Sequence, residues 1–214
     1  MFDAELFSNV ATSGFNANIH PGDTQLQYLM NSSVQKHPSA LASFAVDSNE
    51  GSDVWMGDQR NDTMYGLGGN DWLFGRSGND ILGGNNGRDF LSGDKGNDWL
   101  NGGTDNDALL GGNGQDALVG GSGDDILCGG NGKDTLTGQS GNDRIYGESS
   151  DDRLDGGTGQ DTLEGGSGND ILSDVYGGDR LIGGRGNDEF QLVRGESSIS
   201  PSAIADFKIA SDTI

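Results

Sequence analysis

The sequence predicts an all-β solenoid in which short strands and glycine-rich turns alternate along most of the chain. Three observations carry that expectation. A nine-residue unit recurs without insertion or deletion from Ser48 to Gln191, which is 144 residues or sixteen units. Its sixth position is Asp and its eighth position apolar in all sixteen. No proline falls between Pro38 and Pro201, as expected where backbone N–H groups donate to sheet ladders.

The unit is plainest at Gly120-Gly121-Ser122-Gly123-Asp124-Asp125-Ile126-Leu127-Cys128. Position eight runs Trp55, Met64, Leu73, Leu82, Leu91, Leu100, Leu109, Leu118, Leu127, Leu136, Ile145, Leu154, Leu163, Leu172, Leu181 and Phe190. Position one is Gly in fourteen units and position four in thirteen, which predicts a backbone held at dihedrals that cost other residues energy. Positions one to six then form a turn. Positions seven to nine remain for a three-residue strand whose middle side chain faces inward. Cys128, the single cysteine, excludes an internal disulfide and is expected to point outward. Two units make one 18-residue coil with a strand on each of two parallel sheets, so sixteen units give eight coils. At roughly 4.8 Å between strands, such a stack is about 34 Å long.

Forty glycines against 8 Phe, 4 Tyr and 3 Trp do not make an ordinary globular core. One file of apolar side chains is thin support for so glycine-rich a chain. Stacking also sets each Asp beside the Asp 18 residues on, so like charges repel along both edges. The net charge of −22 excludes nucleic acid and anionic membrane surfaces as partners and points to a cation. Calcium fits, since it takes six to eight oxygens in flexible geometry and accepts backbone carbonyls. Magnesium demands stricter geometry, and zinc wants nitrogen or sulfur ligands that the repeats lack.

Residues 1–47 form a separate segment, with few glycines, both histidines (His20 and His37), and Pro21 and Pro38. Asp3 to Val10 reads as a short helix, while Leu26, Tyr28 and Met30 alternate as in a strand and Leu26, Leu29, Met30 and Val34 also fit a helix. Carrying the register outward puts Val46 at position eight with Phe44 in place of Asp, and Ile199 at position eight with Ser197 in place of Asp. Both ends are therefore cap candidates. Residues 192–214 return to an apolar pattern around Phe207 and Ile209. No stretch approaches the length of a transmembrane helix, and Met1 to Val10 lacks the pattern of a cleaved signal peptide.

The pattern G-G-x-G-x-D-x-U-x, with U a large apolar residue, resembles the RTX or hemolysin-type calcium-binding nonapeptide repeat. The resemblance implies a right-handed parallel β-roll that binds calcium between units n and n+2, through the position-six Asp of both and carbonyls from positions one to four. One edge would carry Asp53, Asp71, Asp89, Asp107, Asp125, Asp143, Asp161 and Asp179. The other would carry Asp62, Asp80, Asp98, Asp116, Asp134, Asp152, Asp170 and Asp188. The carbonyls implied are those of Gly75, Gly84, Gly93, Gly102, Gly111, Gly120, Gly129, Gly156 and Gly165 at position one, and Gly103, Gly112, Gly121, Gly130, Gly157 and Gly166 at position two. Position four adds Gly114, Gly123, Gly132, Gly159 and Gly168. Seven gaps per column set a ceiling of fourteen ions. Arg60, Asp105 and Ser150 replace Gly at position four, and Ser48 and Asp174 replace it at position one, which puts those turns in doubt.

No catalytic constellation accompanies the repeats: there is no H-E-x-x-H and no G-x-S-x-G nucleophile elbow. The expectation is a non-catalytic, secreted calcium-binding roll that unfolds where calcium is scarce, travels by a type I-like route and folds outside the cell. Such a roll could be a structural protein that self-associates head to tail into a filament or surface layer. The alternative is the folding and secretion module of a larger toxin, hydrolase or adhesin. In the family, segments resembling Ala205-Asp206-Phe207 and Asp212-Thr213-Ile214 precede further chain, so a continuation is expected there. A soluble calcium buffer is the third reading.

Overall fold

Alternation about an inward Leu makes each unit a strand, and the fixed turn length brings successive strands to two sheets in turn. A computed structural model describes residues 44–46, 51–174, 176–192 and 203–204, all within the unit His37–Ile214. Every regular element among them is a β-strand. One sheet stacks Phe44–Val46, Thr63–Gly68, Ile81–Asn86, Trp99–Thr104, Ala117–Ser122, Thr135–Ser140, Arg153–Gly159, Ile171–Asp174 with Tyr176–Gly177, and Glu189–Leu192. The other stacks Val54–Met56, Trp72–Ser77, Phe90–Lys95, Ala108–Asn113, Ile126–Asn131, Arg144–Ser149, Thr162–Ser167, Arg180–Arg185 and Ala203–Ile204. Pairing is parallel at 18-residue spacing, as where Ile126 pairs with Ala108 and Arg144. The chain is a parallel β-solenoid of about eight turns. Its core is the expected single file, with Met64 to Phe190 at position eight only 0–3% exposed and Trp55 packed partly buried against them.

The strands are longer than the three residues the sequence predicts. Most run six residues, from position seven to position three of the next unit, as in Ile126–Asn131, which leaves only positions four to six for the turn. The ladder skips position one: where Ile126–Asn131 pairs with Arg144–Ser149, Gly129 and Gly147 have no register partner. The chain re-enters the ladder through position two, and there it is left-handed. Gly103, Gly112, Gly121 and Gly130 have φ between 104° and 119°, and Leu67, Arg76, Asn85, Asp94, Gln139 and Glu148 have φ between 72° and 79°. From Gly69 onward the position-four glycines are left-handed as expected, whereas position-one glycines are not.

The terminal registers also differ from expectation. Ala45, not Val46, pairs with Met64, and Ile204 pairs with Leu181 where Ile199 was expected. Neither flank holds an Asp two residues before its apolar residue, so nothing there enforces the period of nine. Cys128 is buried, at 3% exposure, rather than a surface residue. Leu110 and Tyr146 stand beside it on the adjoining strands, and burial pushes its thiol pKa up. Outward positions near the start of the roll carry Trp72, Phe74 and Phe90, with ring centroids 5.4–6.3 Å apart. The expected elements at Asp3 to Val10 and Leu26 to Met30, both histidines, Ile199, Phe207 and Ile209 lie outside the described residues.

Candidate metal centres

Each position-six Asp sits where the turn ends and the strand begins, clamped from both sides by the ladder. Its carbonyl accepts from position seven of the next coil, as where the Arg144 N–H donates to the Asp125 carbonyl at 2.9 Å. Its own N–H donates to the Oδ1 of the Asp 18 residues on. Fourteen such bonds, 2.7–3.0 Å long, join Asp53 to Asp179 on one edge and Asp62 to Asp188 on the other. The two columns read from the sequence are thus real columns. From Asp62 onward every member is at most 3% exposed.

One carboxylate oxygen is used this way and the other is not. The Oδ2 atoms of Asp80, Asp89, Asp98, Asp107, Asp116, Asp125, Asp134, Asp143, Asp152 and Asp170 are buried with no hydrogen-bond partner. Such atoms are costly to leave unsatisfied. Burial is the largest cause that pushes these carboxyls up, with the N–H of the preceding coil pulling the other way and neighbouring carboxylates adding repulsion in most cases. Asp80, Asp98, Asp116, Asp134 and Asp170 rise to about 6, and Asp89, Asp125 and Asp143 to about 7. Asp152 rises to about 8 and Asp107 to about 9.

Position-one glycine makes room for that second oxygen. A Cβ at Gly120 would strike Asp125 Oδ2 and come within 3.0 Å of the Gly138 carbonyl oxygen of the next coil. The same pairing of a carboxylate with the next coil's position-one carbonyl recurs at Gly93, Gly102, Gly111, Gly138, Gly147 and Gly165. Glycine is therefore needed here for space, whereas at position two it eases a left-handed backbone that Leu67, Arg76, Asn85, Asp94, Gln139 and Glu148 also adopt. Among the described residues no three His, Cys, Asp or Glu side chains cluster as a metal site. From Asp62 onward each turn buries one carboxylate, that of position six, so a metal held here must take its remaining donors from backbone oxygens. Buried, unpaired carboxylate oxygens beside carbonyls form an all-oxygen donor set of the kind calcium accepts. The family profile described as the RTX calcium-binding nonapeptide repeat matches overlapping segments that together span residues 47–191. The chain belongs to this family.

No individually curated protein matches the chain. The RTX repeats of this chain depart from the pattern at three position-four residues, which the structure treats differently. Asp105 and Ser150 take the left-handed turn, at φ 74° and 87°. Arg60 does not, and its turn is built another way: the Asp58 N–H donates to Asp62 Oδ2 at 2.9 Å and the Arg60 N–H to Asp58 Oδ1 at 2.8 Å. Ser48 lies outside the described residues. Asp174 ends a strand that pairs it with Leu192.

Position five was missed in reading the sequence. Its side chain accepts the N–H of position five in the next coil at ten places, at 2.8–3.1 Å, running opposite to the position-six ladder. The signal was available, because position five is Asn in eight of the sixteen units.

Proposed function

We propose that these RTX repeats bind calcium between successive coils along both edges, and that the roll is a secreted, non-catalytic structural element that folds where calcium is abundant. The buried Oδ2 atoms of Asp98, Asp107, Asp116, Asp125, Asp143, Asp152 and Asp170, without a hydrogen-bond partner and set beside the next coil's position-one carbonyl, are the observation that carries this reading. The ligands would be the aspartates of the two columns, Asp53 to Asp179 and Asp62 to Asp188, with carbonyls from positions one, two and four. The fourteen gaps are the ceiling on their number. Bound calcium supplies positive charge and bonds to six to eight oxygens. The chain does the rest: the glycine at position one leaves the space, and the Asp N–H of the preceding coil fixes the orientation of each carboxylate from Asp71 onward.

Free of cation, the buried carboxylates repel one another, so the chain is expected to unfold at neutral pH in chelator and to fold at roughly millimolar calcium. Far-ultraviolet circular dichroism tests this directly. Coil in chelator and strand in calcium are expected; an unchanged spectrum refutes the coupling. This coupling suits export through a narrow channel and folding outside. Head-to-tail association into filaments or a surface layer belongs to the same proposal, because a solenoid ends in strand edges that another copy can extend. Electron microscopy in millimolar calcium showing only monomers would count against that part.

The alternative, a calcium-dependent folding and secretion module of a larger RTX toxin, hydrolase or adhesin, is favoured by the flank that carries Ala205-Asp206-Phe207 and Asp212-Thr213-Ile214. The intact mass of the secreted protein separates the two readings.

A further inference from the structure

The turn from Gly57 to Asp62 follows a backbone path of its own. From Leu67 to Gly166 position two is left-handed in every unit, and from Gly69 to Gly186 so is position four, whether or not the residue is glycine. Asp58 and Arg60 hold those positions here, and neither is left-handed. The strand before the turn is correspondingly short. Val54–Met56 pairs only through Val54, Trp55 and Met56, whereas the next strand of that sheet, Trp72–Ser77, keeps its pairs at Arg76 and Ser77.

Local chemistry accounts for the different path. The Asp58 carboxylate accepts the N–H of Arg60, two residues on, at 2.8 Å, which closes the turn on a side chain. The N–H of Asp58 itself donates to Asp62 Oδ2 at 2.9 Å. The space around that oxygen is the same as elsewhere: a Cβ added at Gly57 would meet Asp62 Oδ2 and the Gly75 carbonyl of the next coil, just as one added at Gly120 would meet Asp125 Oδ2 and the Gly138 carbonyl. Both aspartates are at most 1% exposed. The difference lies in the oxygen, since Asp125 Oδ2 is buried without a hydrogen-bond partner and Asp62 Oδ2 has one.

We propose that this turn terminates its calcium column: the gap between Asp62 and Asp80 takes no ion, because the Asp58 N–H holds the oxygen that a cation would need. The inference rests on the calcium reading above. An ion entering here would have to break a hydrogen bond to a buried carboxylate, which is stronger than one between neutral groups, and to open the turn that the Asp58 side chain closes. Ions on this edge then begin at the gap between Asp80 and Asp98, where Asp80 Oδ2 is buried without a partner. The ceiling for the whole roll falls by one.

The test uses crystals of the full chain grown in calcium, with anomalous density read at every gap, and equilibrium dialysis to count the bound ions. Gaps along both edges should hold density, and the gap between Asp62 and Asp80 none. The double variant Asp58→Gly, Arg60→Gly restores glycine to positions two and four and removes the side-chain closure, so it should bind one ion more than the parent protein, at the gap beside Asp62. Density between Asp62 and Asp80 in the parent protein overturns the proposal, and that reading needs no variant to fold. An unchanged ion count in the folded double variant also overturns it, since the bonds of Asp58 would then not be what excludes the ion. Absence of density at every gap overturns instead the calcium reading itself.

Discussion

The glycine at position one gives the sharpest test of the cradle, because two physical accounts predict opposite signs for its replacement. Gly120 lies outside the left-handed region. If it were an ordinary strand glycine, Gly120→Ala would stabilise the roll by about 0.4–1 kcal/mol through the unfolded chain. The structure predicts the reverse. The new methyl would strike Asp125 Oδ2 and approach the Gly138 carbonyl oxygen at 3.0 Å. Displacing that carboxylate breaks the 2.8 Å bond it accepts from the Asp107 N–H, and a hydrogen bond to a charged group contributes about 1.5–3 kcal/mol. The ion lost from the same gap costs about 1.4–2.7 kcal/mol at ~10 mM calcium, for dissociation constants of ~0.1–1 mM. The net expectation is a loss of about 2–5 kcal/mol together with one fewer bound ion. Urea denaturation followed by circular dichroism in 10 mM calcium measures the first, and equilibrium dialysis the second. A stabilised variant with its full complement of ions would refute the cradle.

In the core, Leu127→Ala removes a side chain that is 0% exposed, in a file one residue wide; a loss of about 2–5 kcal/mol is expected in calcium by denaturant titration. At position two, Gln139→Gly relieves a left-handed φ of 77° and should stabilise by about 1 kcal/mol in the same assay, whereas Gly121→Ala, at φ 119°, should destabilise. The pH dependence has opposite signs with and without calcium. In chelator, carboxyls raised to between about 6 and 9, such as Asp80 and Asp107, favour the fold below the ordinary carboxylate range near 4 and lose that contribution as pH climbs through 6 to 9. The calcium-free chain should therefore show more strand by circular dichroism at pH 4 than at pH 8. In calcium, which requires ionised ligands, acid should weaken the fold instead.

The period of nine made the architecture legible, since an Asp and a Leu two residues apart, repeated sixteen times, admit no other regular stacking. It also located the columns, because side chains 18 residues apart must superpose in a coil of 18. What it hid was the work of each glycine. Composition alone shows Gly at positions one and four, and both look like turn glycines. Only the ladder reveals that Gly120 answers to the space of Asp125, while the left-handed bend falls at position two, where Leu67, Arg76 and Glu148 endure it without being glycine. Strand length was misjudged for the same reason, since a glycine at position one was read as the start of a turn when the strand continues past it. Cys128 was misplaced because period-two alternation specifies direction and not cover. The terminal registers were illegible because the flanks lack the Asp that holds each coil in phase.

The turn at Gly57 to Asp62 satisfies a buried carboxylate oxygen without a cation. From Asp53 to Asp170 the position-six N–H reaches forward to the carboxylate of the next coil, so a carboxylate with no aspartate one coil behind it lacks a donor. Asp62 is in that position: the residue 18 before it is Phe44, and its Oδ1 is buried without a partner. Its Oδ2, the oxygen left unpaired at turn after turn above it, here accepts the Asp58 N–H at 2.9 Å. Asp58 in turn takes the Arg60 N–H at 2.8 Å and lies 3.9 Å from the exposed Arg60 guanidinium. The departure from glycine at residue 60 is thus part of an alternative solution, in which a backbone N–H satisfies the oxygen and an arginine brings positive charge to the turn. In the glycine turns of Asp80, Asp89 and Asp98 the second carboxylate oxygen has no such donor, and on the proposed reading a bound ion takes its place.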